Sequence, residues 1–143
     1  MAELVVTADI VAPAGQVWEA LTDWDLHDRW MLLTRASGGR SEGASIEAFT
    51  GVGRLAIRDT MTIVVWEPPR RCVVRHTGRI VRGSGAFEVR ELGPDRSRVV
   101  WSEWIDLPLG LIGRIGWPVV RPLIRLGVAF SLRRLARLVG ERG

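Results

Sequence analysis

Asp59, His76 and Glu103 are the residues of this 143-residue chain whose types and positions suit acid–base chemistry. Each breaks an otherwise apolar strand face. Residues in a strand alternate between two faces, so parity alone sorts them. From Arg54 to Trp66 one parity reads Leu55, Ile57, Asp59, Met61, Ile63, Val65, and the other reads Ala56, Arg58, Thr60, Thr62, Val64, Trp66. The first set is the apolar one and is expected to face the interior. From Arg71 onward the arginines share a parity with Val73 and Thr77, which leaves Cys72, Val74, His76 and Gly78 inward. Gly85, Phe87 and Val89 follow inward on the next strand.

The last strand admits two parities. Val99, Trp101, Glu103 and Ile105 compete with Val100, Ser102, Trp104 and Asp106. The first set is the more apolar and is preferred, which brings Glu103 to the same face as Asp59 and His76. If the "EPPR" turn centres on Pro68 and Pro69, His76 falls opposite Met61 and diagonal to Asp59. Such diagonal neighbours are about 7–8 Å apart, within reach of an imidazole and a carboxylate. Burial raises a carboxyl pKa, and a neighbouring His offsets this. The pair is suited to abstracting a proton beside a carbonyl or protonating a leaving hydroxyl. The favoured reading is a structural or ligand-orienting role, with the two side chains satisfying each other at a polar end of a cavity. For Glu103 the structural reading is stronger still.

The elements that must position these groups follow from pattern and punctuation. "ELVVTADIVAP" (3–13) alternates and is rich in β-branched residues, so it reads as a strand. "PAGQVWEALTDW" (13–24) sets Val17, Leu21 and Trp24 on one helical stripe, with Pro13 suited to the first turn. A second short helix is expected to start at Asp25 as N-cap, with Asp28 in its first turn and His27 facing solvent. Turn signals then recur at 37–43, 50–53, 67–70, 82–85 and 93–96, with strand-like runs between them. That spacing predicts an antiparallel meander of about six strands. From Leu109 the pattern turns helical almost to the end, and Pro118 and Pro122 mark a start or a kink.

The order is strand, two short helices, six strands and a long helix, an α+β arrangement that reads as one domain over residues 1–143. A curved sheet closing on a single helix leaves space between them, and that space is a natural ligand cavity. On the helix Val120, Leu123, Ile124, Gly127, Phe130 and Leu138 are expected to face the sheet. Gly127 costs about 1 kcal/mol against alanine there, which suggests a close approach to the backbone. Trp30 and Trp101 are the best cavity candidates among the seven tryptophans, most of which serve core or lid.

Composition narrows the classes. With 47% hydrophobic and 25% charged residues the chain is expected to be globular. The single cysteine, Cys72, excludes an internal disulfide and any multi-cysteine zinc site, and its expected role is a small buried hydrophobe. All 20 basic residues are arginine. From Gly110 onward seven arginines face one acid, whereas residues 1–109 hold 13 arginines against 15 acids, so the positive field belongs to the C-terminal segment. Arg114, Arg121 and Arg125 form one stripe, suited to an anionic lipid surface or simply to solvent. Nucleic acid is not expected, since the arginines lack the interleaved aromatics of single-strand binders. No basic n-region precedes an apolar run at the start, and arginines and prolines interrupt the most apolar stretch (107–130), so a cytoplasmic location is expected.

Together, "APAGQVWEALTDW", the second tryptophan of "HDRW", the "VVWEPPRR" hairpin, "RVVWSEWIDLPLG" and the terminal amphipathic helix resemble the START-related lipid-transfer and polyketide cyclase superfamily. The resemblance covers essentially the whole chain. It implies the helix-grip fold, a seven-stranded antiparallel sheet gripping the long helix around a hydrophobic tunnel, and it agrees with the preferred parity of the last strand. Members bind lipids, sterols, hormones or polyketide intermediates, and a minority catalyse cyclisation or dehydration. No universal catalytic motif carries over. The expected ligand is therefore a small hydrophobic molecule, lined by Trp30, Met61, Ile63, Val74, Phe87, Val89, Trp101, Leu123, Gly127 and Phe130. The expected protein is a carrier or sensor, monomeric or homodimeric, with no cofactor and no metal. The alternatives are an aromatic polyketide cyclase or dehydratase using Asp59, His76 and Glu103, and a peripheral membrane protein that exchanges lipid.

Overall fold

The computed structural model describes residues 2–78, 82–106 and 111–142. Strand β1 (Ala2–Ile10) leads into helix α1 (Ala14–Thr22), a 3₁₀ turn (Trp24–Leu26) and the one-turn helix α2 (His27–Trp30). Six strands follow: β2 (Thr34–Gly38), β3 (Ser45–Thr50), β4 (Ile57–Glu67), β5 (Arg71–Thr77), β6 (Arg82–Gly93) and β7 (Arg96–Asp106). Helix α3 (Leu111–Arg142) completes the chain. All strands form one antiparallel sheet in the order β1-β7-β6-β5-β4-β3-β2. Because β1 and β2 are the two edges, the helical connection between them spans the sheet from one edge to the other. With α3, this makes the seven-stranded helix-grip fold.

Alternation explains the inner face. Leu4, Ile63, Cys72 and Val99 are fully buried from the sheet side, and Val17, Leu21, Trp30, Leu132 and Leu135 meet them from the helices. Burying each such side chain contributes roughly 1.5–3 kcal/mol, so sheet and helices hold each other in place. Cys72 is a small buried hydrophobe whose thiol burial pushes up to about 12.

Several local expectations are corrected. A bulge between Ile63 and Val65 inserts one residue into β4, so beyond it the parity flips. Trp66 pairs with Cys72 and packs on Trp18 at 5.1 Å, taking the inward place expected of Val65. Residues 82–85 form no turn; they lie inside β6, where small residues make room for neighbours. Asp25 caps no helix, for it lies within the 3₁₀ turn, whereas Asp28 does sit in the first turn of α2. His27 does not face solvent. It is buried between Trp24 and Trp30, with ring centroids 5.2 and 4.7 Å away, and its Nε2 bonds to the Leu21 carbonyl at 2.9 Å.

Helix α3 is seated mainly by its C-terminal half. Ile124, Val128, Ser131, Leu132, Leu135 and Val139 recur every three or four residues and form the stripe that packs on β1, α1 and α2. Leu32 N–H donates to Ser131 Oγ at 2.9 Å and ties the end of α2 to this stripe. Pro118 and Pro122 lie inside the helix rather than at its start.

Candidate functional site

Three adjacent registers build the cluster. Met61 pairs with His76 across β4 and β5, His76 with Gly83 across β5 and β6, and Gly85 with Glu103 across β6 and β7. Asp59, two residues before Met61, therefore projects from the same face as His76, and Glu103 reaches the imidazole from its other side. His76 Nδ1 lies 2.9 Å from Asp59 Oδ1 and His76 Nε2 lies 3.1 Å from Glu103 Oε2. The imidazole side chain is 5% exposed, against 20% for Asp59 and 17% for Glu103, so the ring is enclosed while each carboxylate has an edge open. Glycine makes the arrangement possible. A Cβ at Gly85 would lie 2.8 Å from the Glu103 carboxylate.

The electrostatics follow from this geometry. Burial by itself pulls the imidazole pKa of His76 down. The hydrogen bonds from Asp59 and Glu103 and their negative charges outweigh burial and push it up to about 10. When charged, the ring is a two-way donor, Nδ1–H to Asp59 and Nε2–H to Glu103. A ring so engaged has no lone pair for taking up a proton. Within this cluster any proton acceptor is a carboxylate oxygen. Among the described residues no group is arranged to hold a metal.

An aromatic wall adjoins the cluster. Trp101, two residues before Glu103 on the same face, stacks on Phe87 at 5.9 Å and 19°. Trp30 meets Trp101 edge-on at 6.3 Å. Ile63 pairs with Val74 beside the Met61–His76 pair, and Val74 and Met61 pack against the core. Val89 is buried at the other end of the sheet, where it also borders a cleft of about 740 Å³ beside Pro68, Arg70 and Ala14.

The expected lining on α3 divides. Gly127 sits beside Leu32, whose Cδ2 would lie 3.8 Å from a Cβ placed there. Ile124 and Leu138 pack against the core as expected. Val120, Leu123 and Phe130 do not pack on the sheet; Leu123 is 65% exposed. Leu123 and Phe130 each lie about 100° around the helix from a buried stripe residue, Ile124 and Ser131 respectively. Phe130 instead carries the Arg134 guanidinium over its ring at 5.8 Å. Arg121 and Arg125 are exposed, and Arg121 Nε reaches the Glu3 carbonyl at 3.3 Å. The Arg114 side chain falls outside the described residues.

The parts that sequence reasoning missed are Gly85 as the seat of Glu103, and Trp66. The signal for the first was the small-residue run "GSGA", which reads as a turn and acts as a gap in the strand.

The order of elements and the sheet gripping α3 point to one family. The chain belongs to the polyketide cyclase/dehydrase and lipid transport family. The family model matches residues 1–140. A search of curated protein sequences finds no match. Among solved structures, the chain is similar to TTHA0849 from Thermus thermophilus, with 17% identity, a TM-score of 0.83 and 99% of each chain covered. It is also similar to the Zhui aromatase/cyclase from Streptomyces sp. R1128, with 17% identity and a TM-score of 0.79 over 99% of this chain and 94% of that one. A protein from Thermobifida fusca matches at 22% identity and a TM-score of 0.69, over 99% and 95% of the two chains. At these identities the likeness establishes the shared fold.

Proposed function

We propose that this protein binds a small hydrophobic molecule between the sheet and α3, with Asp59, His76 and Glu103 as the polar end of the site. The carrying observation is that the cluster sits beside the stacked Phe87–Trp101 pair on the face turned to the helices. Apolar walls with a few convergent polar groups are what ligand sites have in common. Native mass spectrometry of protein purified from its own host is expected to show a retained non-covalent species, and Trp101→Ala is expected to cut its occupancy about tenfold. A protein that retains nothing and whose tryptophan fluorescence no aromatic probe alters would sink this reading.

Catalysis of the cyclase or dehydratase type is supported by the same cluster, with the roles reassigned. A carboxylate oxygen of Asp59 or Glu103 would take the proton and the His76 imidazolium would donate one. In that case Asp59→Asn and His76→Ala abolish turnover while leaving binding in place, whereas a carrier has no turnover to lose.

Membrane docking is favoured by a separate observation. Ile115, Val119, Leu123 and Leu126 on the first half of α3 are all more than 60% exposed, and Arg121 and Arg125 stand on the same helix. By length and composition alone, the stretch Ile115–Gly140 even reaches what a membrane crossing needs, despite its arginines. Docking through this face predicts flotation with anionic vesicles that weakens steeply with salt and with Arg121→Glu plus Arg125→Glu. Absence of binding at low salt overturns it.

A further inference from the structure

The charge of the polar end follows from counting its protons. Both nitrogens of His76 contact a carboxylate oxygen, so each contact must contain one proton. Two arrangements satisfy this: an imidazolium between two carboxylates, or a neutral imidazole that donates to one carboxylate and accepts from the other as a carboxylic acid. The three groups sum to a single negative charge in both. Where the shared proton resides does not alter that charge.

Among the described residues no arginine forms an ion pair with Asp59 or Glu103. Arg58 and Arg75 alternate with Asp59 and His76 along their strands and so project from the opposite face; Arg58 is bound there to Glu47. Arg98 is bound to Asp9, and Arg121 reaches the Glu3 carbonyl. His76 is the ion-pair partner of both Asp59 and Glu103. Each carboxylate spends one oxygen on the ring, which leaves Asp59 Oδ2 and Glu103 Oε1 as acceptors, and both side chains keep an exposed edge.

We infer that the polar end of the site takes a hydrogen-bond-donating group, a phenolic hydroxyl or an amine, and turns away anionic head groups. The inference rests on the binding reading above. An incoming carboxylate would meet two acceptors and a net negative charge, with no donor left over, because in either arrangement both protons of the cluster lie in the ring–carboxylate contacts. A hydroxyl or ammonium finds two acceptors instead. The rest of the wall suits an aromatic body: Phe87 and Trp101 present stacked rings, and Trp30 meets Trp101 edge-on. Trp30 Nε1 is a buried donor with no acceptor among the described residues, a group that a ligand carbonyl or ether oxygen would satisfy.

Three naphthalene probes that share one ring system and differ in their polar group test this: naphthol, naphthylmethylamine and naphthoate, titrated at pH 7 against the full chain by calorimetry. The expected result is that the first two bind at least about tenfold more tightly than naphthoate, which corresponds to ~1.4 kcal/mol. Glu103→Gln and Asp59→Asn, each of which replaces one of the two carboxylates by a neutral amide of the same shape, are expected to weaken that preference. Naphthoate binding as tightly as the amine and the phenol overturns the inference and leaves the binding reading standing. A ranking that survives unchanged in both variants overturns it too. No binding of any probe overturns the inference, and if the protein also retains no co-purified species the binding reading falls with it. The ranking on the unmodified protein needs no variant to fold.

Discussion

The chain has two histidines, both buried, and they behave in opposite ways. His27 sits in the joint between α1 and α2, wedged between two tryptophan rings, with a backbone carbonyl as its hydrogen-bond partner. Burial lowers its pKa, and the Leu21 carbonyl and the charges of Asp23 and Asp28 only partly offset this. His76 is desolvated as well, yet two carboxylates carry it up to about 10. Burial sets the penalty for charging a ring, and the partners decide whether it is overcome. One histidine is therefore an aromatic packing element with a polar tip. The other holds two acids together, and they push its pKa well above neutral.

Removing each ring is the harshest way to probe this contrast. His76→Ala leaves two carboxylates facing each other without their cation, and breaking such a partly buried pair is expected to lower stability by about 3 kcal/mol. His27→Ala loses two ring contacts and leaves the Leu21 carbonyl unpaired, an expected loss of about 2 kcal/mol. Urea denaturation at pH 7 measures both. Equal losses, or a larger one at His27, would show that the carboxylate cluster contributes less than packing does.

A gentler probe is pH. The folded pKa of His76 lies above the unfolded value of about 6.5, so its contribution to stability is complete below pH ~6.5 and fades as pH rises through about 10. For His27 the folded value is lowered, so its contribution is present above pH ~6.5 and is lost as pH falls below that. The buried thiol of Cys72 also costs stability in alkali, so the alkaline limb belongs in a Cys72→Ala background. The denaturation midpoint is expected to fall from pH 7 towards pH 10, with the fall flattened in His76→Ala. It is also expected to fall from pH 7 towards pH 5, with that limb flattened in His27→Ala. If the His27 variant flattens the alkaline limb instead, the two assignments are reversed.

The contrast also separates what was readable from what was not. Alternation placed Asp59 and His76 on one apolar face, because a period of two needs no knowledge of the neighbouring strand, and for Glu103 the more apolar of two parities decided it. His76 does lie opposite Met61, but through two offsets that cancel: the hairpin pairs Glu67 with Arg71 and Trp66 with Cys72, which alone would set His76 opposite Thr62, and the bulge between Ile63 and Val65 shifts it back to Met61. His27 was misjudged for the opposite reason. A single helical turn has no periodicity to read, and its buried side is fixed by what it docks against.

What the sequence determined by itself is the order of elements, the inner face of the strands wherever alternation runs unbroken, and the identity of the three polar groups on that face. These are local properties, carried by side-chain period and turn chemistry. The tertiary structure decided the rest. The bulge after Ile63 turned Trp66 inward, and Gly85 opened the gap that seats the Glu103 carboxylate. Docking against β1, α1 and α2 selected which stripe of α3 is buried, leaving Leu123 and Phe130 exposed. Each of these depends on contacts between segments far apart in the chain, where small offsets in register or helix rotation change which atoms meet. That is why three acids and bases on one face became a linked cluster only once β4, β5, β6 and β7 were side by side.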